Sequence, residues 1–223
     1  MLKKVINSIE EDLTVNNMIE ANNVRKLLQE KKVFLLNVMS SKGSGKTTTL
    51  AQVLLRLKHN LRVLVLESDI DSKMDTKHIH DMTGVEVVQI TNSDIEYVDA
   101  GVIKNTLSKL NLDNLDLILL ENVGNLVSCA QYDTGAQKNV AILSVQEGDD
   151  KPTKYPLMYK VADVVLINKM DVANFFDFDL EKCKAAIYEQ NPNAKVICAC
   201  AKNGDGIEEF CSWILAETRN YLN

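Results

Sequence analysis

Between the apolar run Val33-Phe34-Leu35-Leu36-Asn37-Val38 and a helical pattern lies Ser40-Ser41-Lys42-Gly43-Ser44-Gly45-Lys46-Thr47-Thr48. Glycines at 43 and 45 allow successive backbone N–H groups to turn inward around phosphate oxygens, and the helix N-terminus adds its partial positive charge. Lys46 can reach the β- and γ-phosphates of a nucleotide, and the Thr47 hydroxyl is placed to ligate Mg²⁺. Gly43, Ser44, Gly45, Lys46, Thr47 and Thr48 thus form a candidate phosphate cradle of the P-loop kind. Ser40 stands where the pattern GxxxxGK[ST] has its first glycine, which the cradle tolerates if this serine has negative φ.

A second group of residues could choose a base. Asn168-Lys169-Met170-Asp171 directly follows the apolar run Val164-Val165-Leu166-Ile167. An aspartate there accepts from N1–H and the 2-amino group of guanine, and a buried carboxylate deprived of those donors is costly, so Asp171 discriminates against adenine. Asn168 would steady the loop, and the stem of Lys169 can lie over the base face. Cys198-Ala199-Cys200-Ala201-Lys202 follows another apolar run. It resembles the Ser-Ala-Lys stretch with which GTPases offer a backbone N–H to guanine O6, so Ala201 and Lys202 join the base site. Cys198 and Cys200 read as small apolar strand residues, with a metal pair as the alternative.

Two acidic segments complete the set. Glu67-Ser68-Asp69 and Glu121-Asn122-Val123-Gly124 each end an apolar run. Asp69 is a candidate for holding Mg²⁺ through water or for positioning an attacking water. Glu121 takes the place of the aspartate usual in a Walker B or DxxG element, and Gly124 can offer its N–H to a γ-phosphate. Asn125 occupies the position where a water-orienting glutamine would follow, so turnover is expected to be slow.

These groups need a scaffold that gathers strand ends. Continuous Val/Ile/Leu runs at 61–67, 85–90, 115–120, 140–145, 162–168 and 194–198 alternate with helical patterns near 76–82, 102–110, 180–190 and 207–221, after a leading helix at about 14–31. That alternation predicts a three-layer α/β P-loop NTPase fold: a mainly parallel sheet flanked by helices on both faces, with ligands at the strand C-termini. With 223 residues, 46% hydrophobic and only 3 prolines, the chain reads as a single domain over 1–223. The net charge of −6, without a long basic block, excludes general nucleic-acid or anionic-membrane binding. No run approaches a membrane span and the N-terminus lacks a secretory apolar stretch. Five cysteines are an odd number, and four of them sit in apolar or strand-like settings that suit reduced thiols, so a cytoplasmic protein is expected.

Longer segments add a resemblance. Asn37 to Thr47, Glu121-Asn122-Val123-Gly124-Asn125-Leu126-Val127, Ser144-Val145-Gln146-Glu147-Gly148-Asp149-Asp150-Lys151-Pro152 with Lys154-Tyr155-Pro156, and Asn168 to Asp171 resemble the HypB family of hydrogenase nickel-incorporation GTPases. The resemblance spans about residues 14–220; urease accessory GTPases fit the second and third segments less well. It implies a GTP/GDP-binding, Mg²⁺-dependent GTPase that forms a homodimer when GTP-bound. It further implies Ni²⁺ delivery to the large subunit of [NiFe] hydrogenase, together with a zinc-containing HypA-type partner.

The departures fall where the family places soft metal ligands. Glu96 and Tyr97 stand at its Cys-His pair, and Ser128 takes the place of its second cysteine, with Cys129 one residue later. A Ni²⁺ or Zn²⁺ site would then rest on Cys129 and Glu96, and oxygen donors hold Ni²⁺ weakly compared with thiolate and imidazole. His78 and His80 read as helix-surface residues, and His59 as a helix-end cation. Two further readings follow: a GTP-dependent switch or chaperone for another metalloenzyme that has lost the transition-metal site, and a small-molecule kinase, which Asn168 to Asp171 disfavour.

Overall fold

A computed structural model describes residues 2–68, 79–90 and 97–223, with the side chains of 2–13 left aside. The expectations for Asp69, His78 and Glu96 therefore lie outside the described residues. Seven strands are present among them: β1 (Phe34–Ser40), β2 (Val63–Glu67), β3 (Glu86–Gln89), β4 (Leu117–Glu121), β5 (Lys138–Ser144), β6 (Val164–Asn168) and β7 (Lys195–Cys198). They form one sheet in the order β3-β2-β4-β1-β5-β6-β7. Every pairing is parallel, so the expected mainly parallel sheet is parallel throughout its described strands. The five inner strands are buried on both faces over most of their length, which is why their sequences are largely apolar rather than alternating, while the edge strands β3 and β7 are partly exposed.

Helices cover both faces. The long α1 (Leu2–Lys31), α3 (Ala100–Leu107), α6 (Pro156–Val161) and α7 (Leu180–Gln190) lie on one side, and α2 (Lys46–Leu57) and α8 (Ile207–Leu222) on the other. Two single-turn helices, α4 (Ser128–Gln131) and α5 (Lys151–Lys154), sit in the connections. The period of two divides each strand between two cores. Leu35 and Met39 of β1 pack with Ala21, Val24, Ile103, Tyr159 and Ile187, whereas Phe34, Leu36 and Val38 pack with Leu50, Leu54, Phe210 and Ile214.

The boundaries follow local chemistry. α3 begins at Ala100, two residues earlier than its apolar pattern suggests, because Asp99 accepts a hydrogen bond from Val102 N at 2.9 Å as an N-cap. β2 begins at Val63, not at Leu61, because the Arg62 backbone N–H already donates to the Asp116 carboxylate at 2.8 Å. α1 extends from Leu2, well before the expected start near residue 14. Its C-terminal half is tied to the domain: Asn17 accepts from Ala100 N at 2.9 Å, and Arg25 pairs with Asp133 at 2.7 Å. No helix among the described residues is long and apolar enough to cross a membrane.

The sheet order reverses beside β1, whose neighbours β4 and β5 begin opposite halves of the sheet. At such a switch point the flanking connections diverge and leave a crevice at the strand C-termini. The segments following β1, β4, β5, β6 and β7 all begin there.

Docking of α1 also depends on a turn with little room. Gly135 has φ of +78°, and a Cβ there would lie 2.6 Å from Val24. Gly135→Ala is expected to destabilise the domain by about 2 kcal/mol or more, through left-handed strain and overpacking together. Urea unfolding measures it, and Val24→Ala in the same chain should recover part of the loss.

Candidate functional site

The phosphate cradle has the geometry its sequence predicts. Gly43 and Gly45 take φ of +80° and +93°, and Ser40 is not among the residues with positive φ, so serine fits at the first position of the motif. Gly45 begins α2 with no side-chain cap, which leaves the helix N-terminus open toward the loop. Lys46 is buried: its Nζ donates to the Asn122 carbonyl oxygen and lies 3.8 Å from the Glu121 carboxylate. Thr47 Oγ1 donates to Glu121 Oε1 at 2.7 Å.

Sequence reasoning passed over Glu67 in favour of Asp69. Glu67 and Glu121 are register partners at the ends of β2 and β4, and both are buried. Two adjacent buried carboxylates favour a cation between or beside them. Lys46 supplies one charge, and the oxygen set of Thr47 and Glu121 has the hard-donor chemistry that suits Mg²⁺. Ser68 ties the two strand ends together, donating to Glu121 O through its N–H at 3.1 Å and its Oγ at 2.8 Å.

The base end is assembled by one buried amide. Asn168 Nδ2 donates to Ser44 O at 2.9 Å, while its Oδ1 accepts from Ala201 N at 3.0 Å. Lys169, with φ of +64°, extends back over the loop and donates to Gly43 O at 2.7 Å. The cavity so enclosed has a volume of about 270 Å³ and is lined by Thr48, Asn168, Lys169, Asp171, Cys200, Ala201 and Lys202, among others. The structure thus brings residues of the candidate phosphate loop and the candidate base loop together. One expectation is corrected: Asp171 is exposed rather than buried, because it sits on the open 3-10 turn Met170–Phe175.

The γ-phosphate side is close-packed. A Cβ on Gly124 would lie 3.4 Å from Lys42 Cα and N, so the segment after β4 rests against the cradle backbone. Asn125 is engaged elsewhere, its Oδ1 accepting from Val127 N at 3.0 Å and Ser128 N at 3.3 Å. A further link joins Ser41 Oγ to the Glu147 carboxylate, which also accepts from Ser144 N and Oγ at 2.9 Å. The spacing Ser144-x-x-Glu147 is that of a capping box and could have located this carboxylate, though not its contact with Ser41.

The cysteines behave as core residues. Cys129 is buried and its thiol is pushed up to about 12 by burial, an effect that the nearby Lys46 charge offsets only in part. Cys200 is buried and Cys198 half-buried, and no group of three His, Cys, Asp or Glu side chains suited to a metal ion occurs among the described residues. Tyr97 stacks on Tyr132 with ring centroids 4.1 Å apart and planes 17° off parallel. His80 is exposed, with Nδ1 2.9 Å from Val85 O, and His59 is exposed beyond α2.

Comparison with known proteins agrees with this geometry. The family described as CobW/HypB/UreG, nucleotide-binding domain, matches residues 34–198. Hydrogenase maturation factor HypB of Escherichia coli strain K12 is 39% identical over 199 residues, covering 89% of this chain and 68% of the relative. The chain belongs to the HypB family. The crystal structure of the hydrogenase maturation factor HypB from Archaeoglobus fulgidus superposes with a TM-score of 0.84 at 33% identity, covering 94% of this chain and all of that one. A structure of HypB from Helicobacter pylori in complex with nickel gives 0.85 at 33% identity over 92% of this chain and 97% of that one.

Two outcomes test the site. A Cβ at residue 45 would lie 2.5 Å from Asn168 Nδ2, so Gly45→Ala should reduce nucleotide affinity at least 100-fold in calorimetry while the circular dichroism spectrum is retained. Cys129 should resist iodoacetamide at pH 8 in the folded protein and react once urea exposes it, as read by mass spectrometry, since only the thiolate attacks.

Proposed function

We propose that the chain is a Mg²⁺-dependent GTPase that converts GTP and water to GDP and phosphate and assists nickel insertion into [NiFe] hydrogenase. The observation that carries this reading is the Asn168 amide, which bonds the cradle at Ser44 and the base loop at Ala201 at once. That linkage holds the loop proposed to read the base against the loop proposed to hold the phosphates. The family supports the nickel role: its E. coli member is a hydrogenase maturation factor, and its H. pylori member has been crystallised with nickel.

Each residue has a part in that reaction. Backbone N–H groups from Gly43 to Thr48 and the open end of α2 hold the phosphates. Lys46 exchanges the Asn122 carbonyl for phosphate oxygens. Thr47 and Glu121, with Asp69, would hold Mg²⁺, which when bound neutralises charge on the phosphate oxygens. Gly124 offers its N–H to the γ-phosphate, and loss of that contact on hydrolysis frees the segment after β4. Asp171 accepts from N1–H and the 2-amino group of guanine, Lys169 covers the base, and Ala201 and Lys202 close its far edge. With the Asn125 amide committed to backbone, no side chain among those described stands ready to orient water, and slow turnover follows. GTP-dependent pairing of two copies, a HypA-type zinc-containing partner, the hydrogenase large subunit as client and a cytoplasmic location complete the reading.

A second reading is favoured by the Tyr97–Tyr132 stack and by the burial of Cys129: a GTP-dependent switch without a transition-metal site, serving another metalloenzyme. Equilibrium dialysis with Ni²⁺ and Zn²⁺, with and without GTP, separates the two. Stoichiometric binding at submicromolar metal supports nickel handling through Cys129 and Glu96, and no binding supports the switch.

Calorimetry with Mg²⁺ should show GTP bound far more tightly than ATP. Asp171→Asn should weaken GTP about 100-fold, the loss of a charge-assisted pair of hydrogen bonds, and leave ATP unchanged. Equal affinity of the native protein for GTP and ATP would falsify the guanine assignment.

A further inference from the structure

Three amides lie on one face of three neighbouring strands or their ends. Asn37 follows the parity of Leu35 and Met39 in β1, Asn122 that of Ile118 and Leu120 in β4, and Asn139 that of Ala141 and Leu143 in β5, all directed into the same apolar core. Asn122 Nδ2 donates to Asn37 Oδ1 at 2.9 Å, and Asn37 Nδ2 donates to Asn139 Oδ1 at 2.9 Å. Asn37 and Asn122 are buried, in surroundings where an aliphatic side chain would need no partner. The amide at 37 therefore acts chiefly on what it holds.

What it holds is the residue that carries the lysine. Asn122 receives Lys46 Nζ on its backbone oxygen, donates its own N–H to Val38 O at 3.0 Å, and accepts Val123 N on Oδ1 at 2.8 Å. The next residue, Gly124, packs on the cradle at Lys42. We propose that Asn37 is a positioning residue for the phosphate switch: it pins the Asn122 side chain as a pivot. When a triphosphate draws Lys46 away from the Asn122 carbonyl, the chain then rearranges from Val123 onward and not at Asn122. This deepens the GTPase reading above and rests on it.

The two arms of Asn37 separate this role from a merely structural one. Asn37→Leu leaves Asn122 Nδ2 without its acceptor, whereas Asn139→Leu removes only the other partner and keeps the Asn37–Asn122 bond. Hydrogen exchange of the Val123 and Gly124 amides, followed by NMR in nucleotide-free protein, should quicken at least tenfold in Asn37→Leu and stay within twofold of native in Asn139→Leu. The ratio of GTP to GDP affinity should shift about tenfold in Asn37→Leu, with kcat lowered about tenfold and KM within threefold, and all should remain native in Asn139→Leu. If Asn37→Leu does not fold, Asn37→Ser, too short to reach Asn122, carries the same expectations. Equal effects of the two arms, or a native exchange rate or affinity ratio in the position-37 variant, overturn the proposal. The exchange comparison uses no nucleotide, so failure of the native protein to bind GTP would count against the GTPase reading while leaving the role of Asn37 to be decided by exchange.

Discussion

The Asn168 side chain is the constraint on which the site depends. Its amide lies at the C-terminal end of a buried strand and satisfies both of its halves on main-chain groups, Ser44 O on one side and Ala201 N on the other. Those partners are 124 and 33 residues away in sequence. A buried amide without partners is costly, so the three loops are held in the one relation that satisfies it. Gly45 is required for the same reason, because a side chain there would occupy the space of the Asn168 nitrogen. The cradle and the base pocket are therefore parts of one bonded unit.

Much of this could be read from the chain because the informative signals are local. An apolar run without alternation identifies a strand buried on both faces, and a polar motif directly after it must open at the strand's C-terminus. The contributions of Gly43, Lys46, Asn168 and Lys169 followed from those two facts. Less was legible where a contact joins distant segments. Nothing local shows that Glu147 reaches Ser41, or that Glu67 and Glu121 are register partners, because register is a property of the sheet. The misjudged burial of Asp171 has the same origin: its strand is interior, yet the 3-10 turn that follows turns outward.

The asparagines make a related point. In sequence, Asn37 is the one polar residue of the run Val33 to Val38. In the folded chain it is the middle of a line of amides that starts beside the P-loop lysine and ends at β5. A buried polar residue in an otherwise apolar strand marks a place where orientation matters more than transfer free energy. Its partners come from neighbouring strands and could be named only once the strand order was known.

The transition-metal question turns on the state of a sulfur atom. A thiol binds Ni²⁺ or Zn²⁺ as thiolate, and metal binding must displace the proton. At Cys129 burial favours the protonated form strongly, with Lys46 as the nearby charge acting the other way. Lys46 is also the group that the proposed GTPase cycle moves toward phosphate. Drawing that ammonium onto a nucleotide's negative charge would weaken its hold on a nearby thiolate, while displacement of the segment from Val123 to Ser128 would admit water to the sulfur. These effects oppose one another: burial is the main cause that keeps the thiol protonated and the Lys46 charge the lesser one that acts against it. A nucleotide that acted on nickel at this cysteine would therefore have to act on both the packing around Cys129 and the charge beside it.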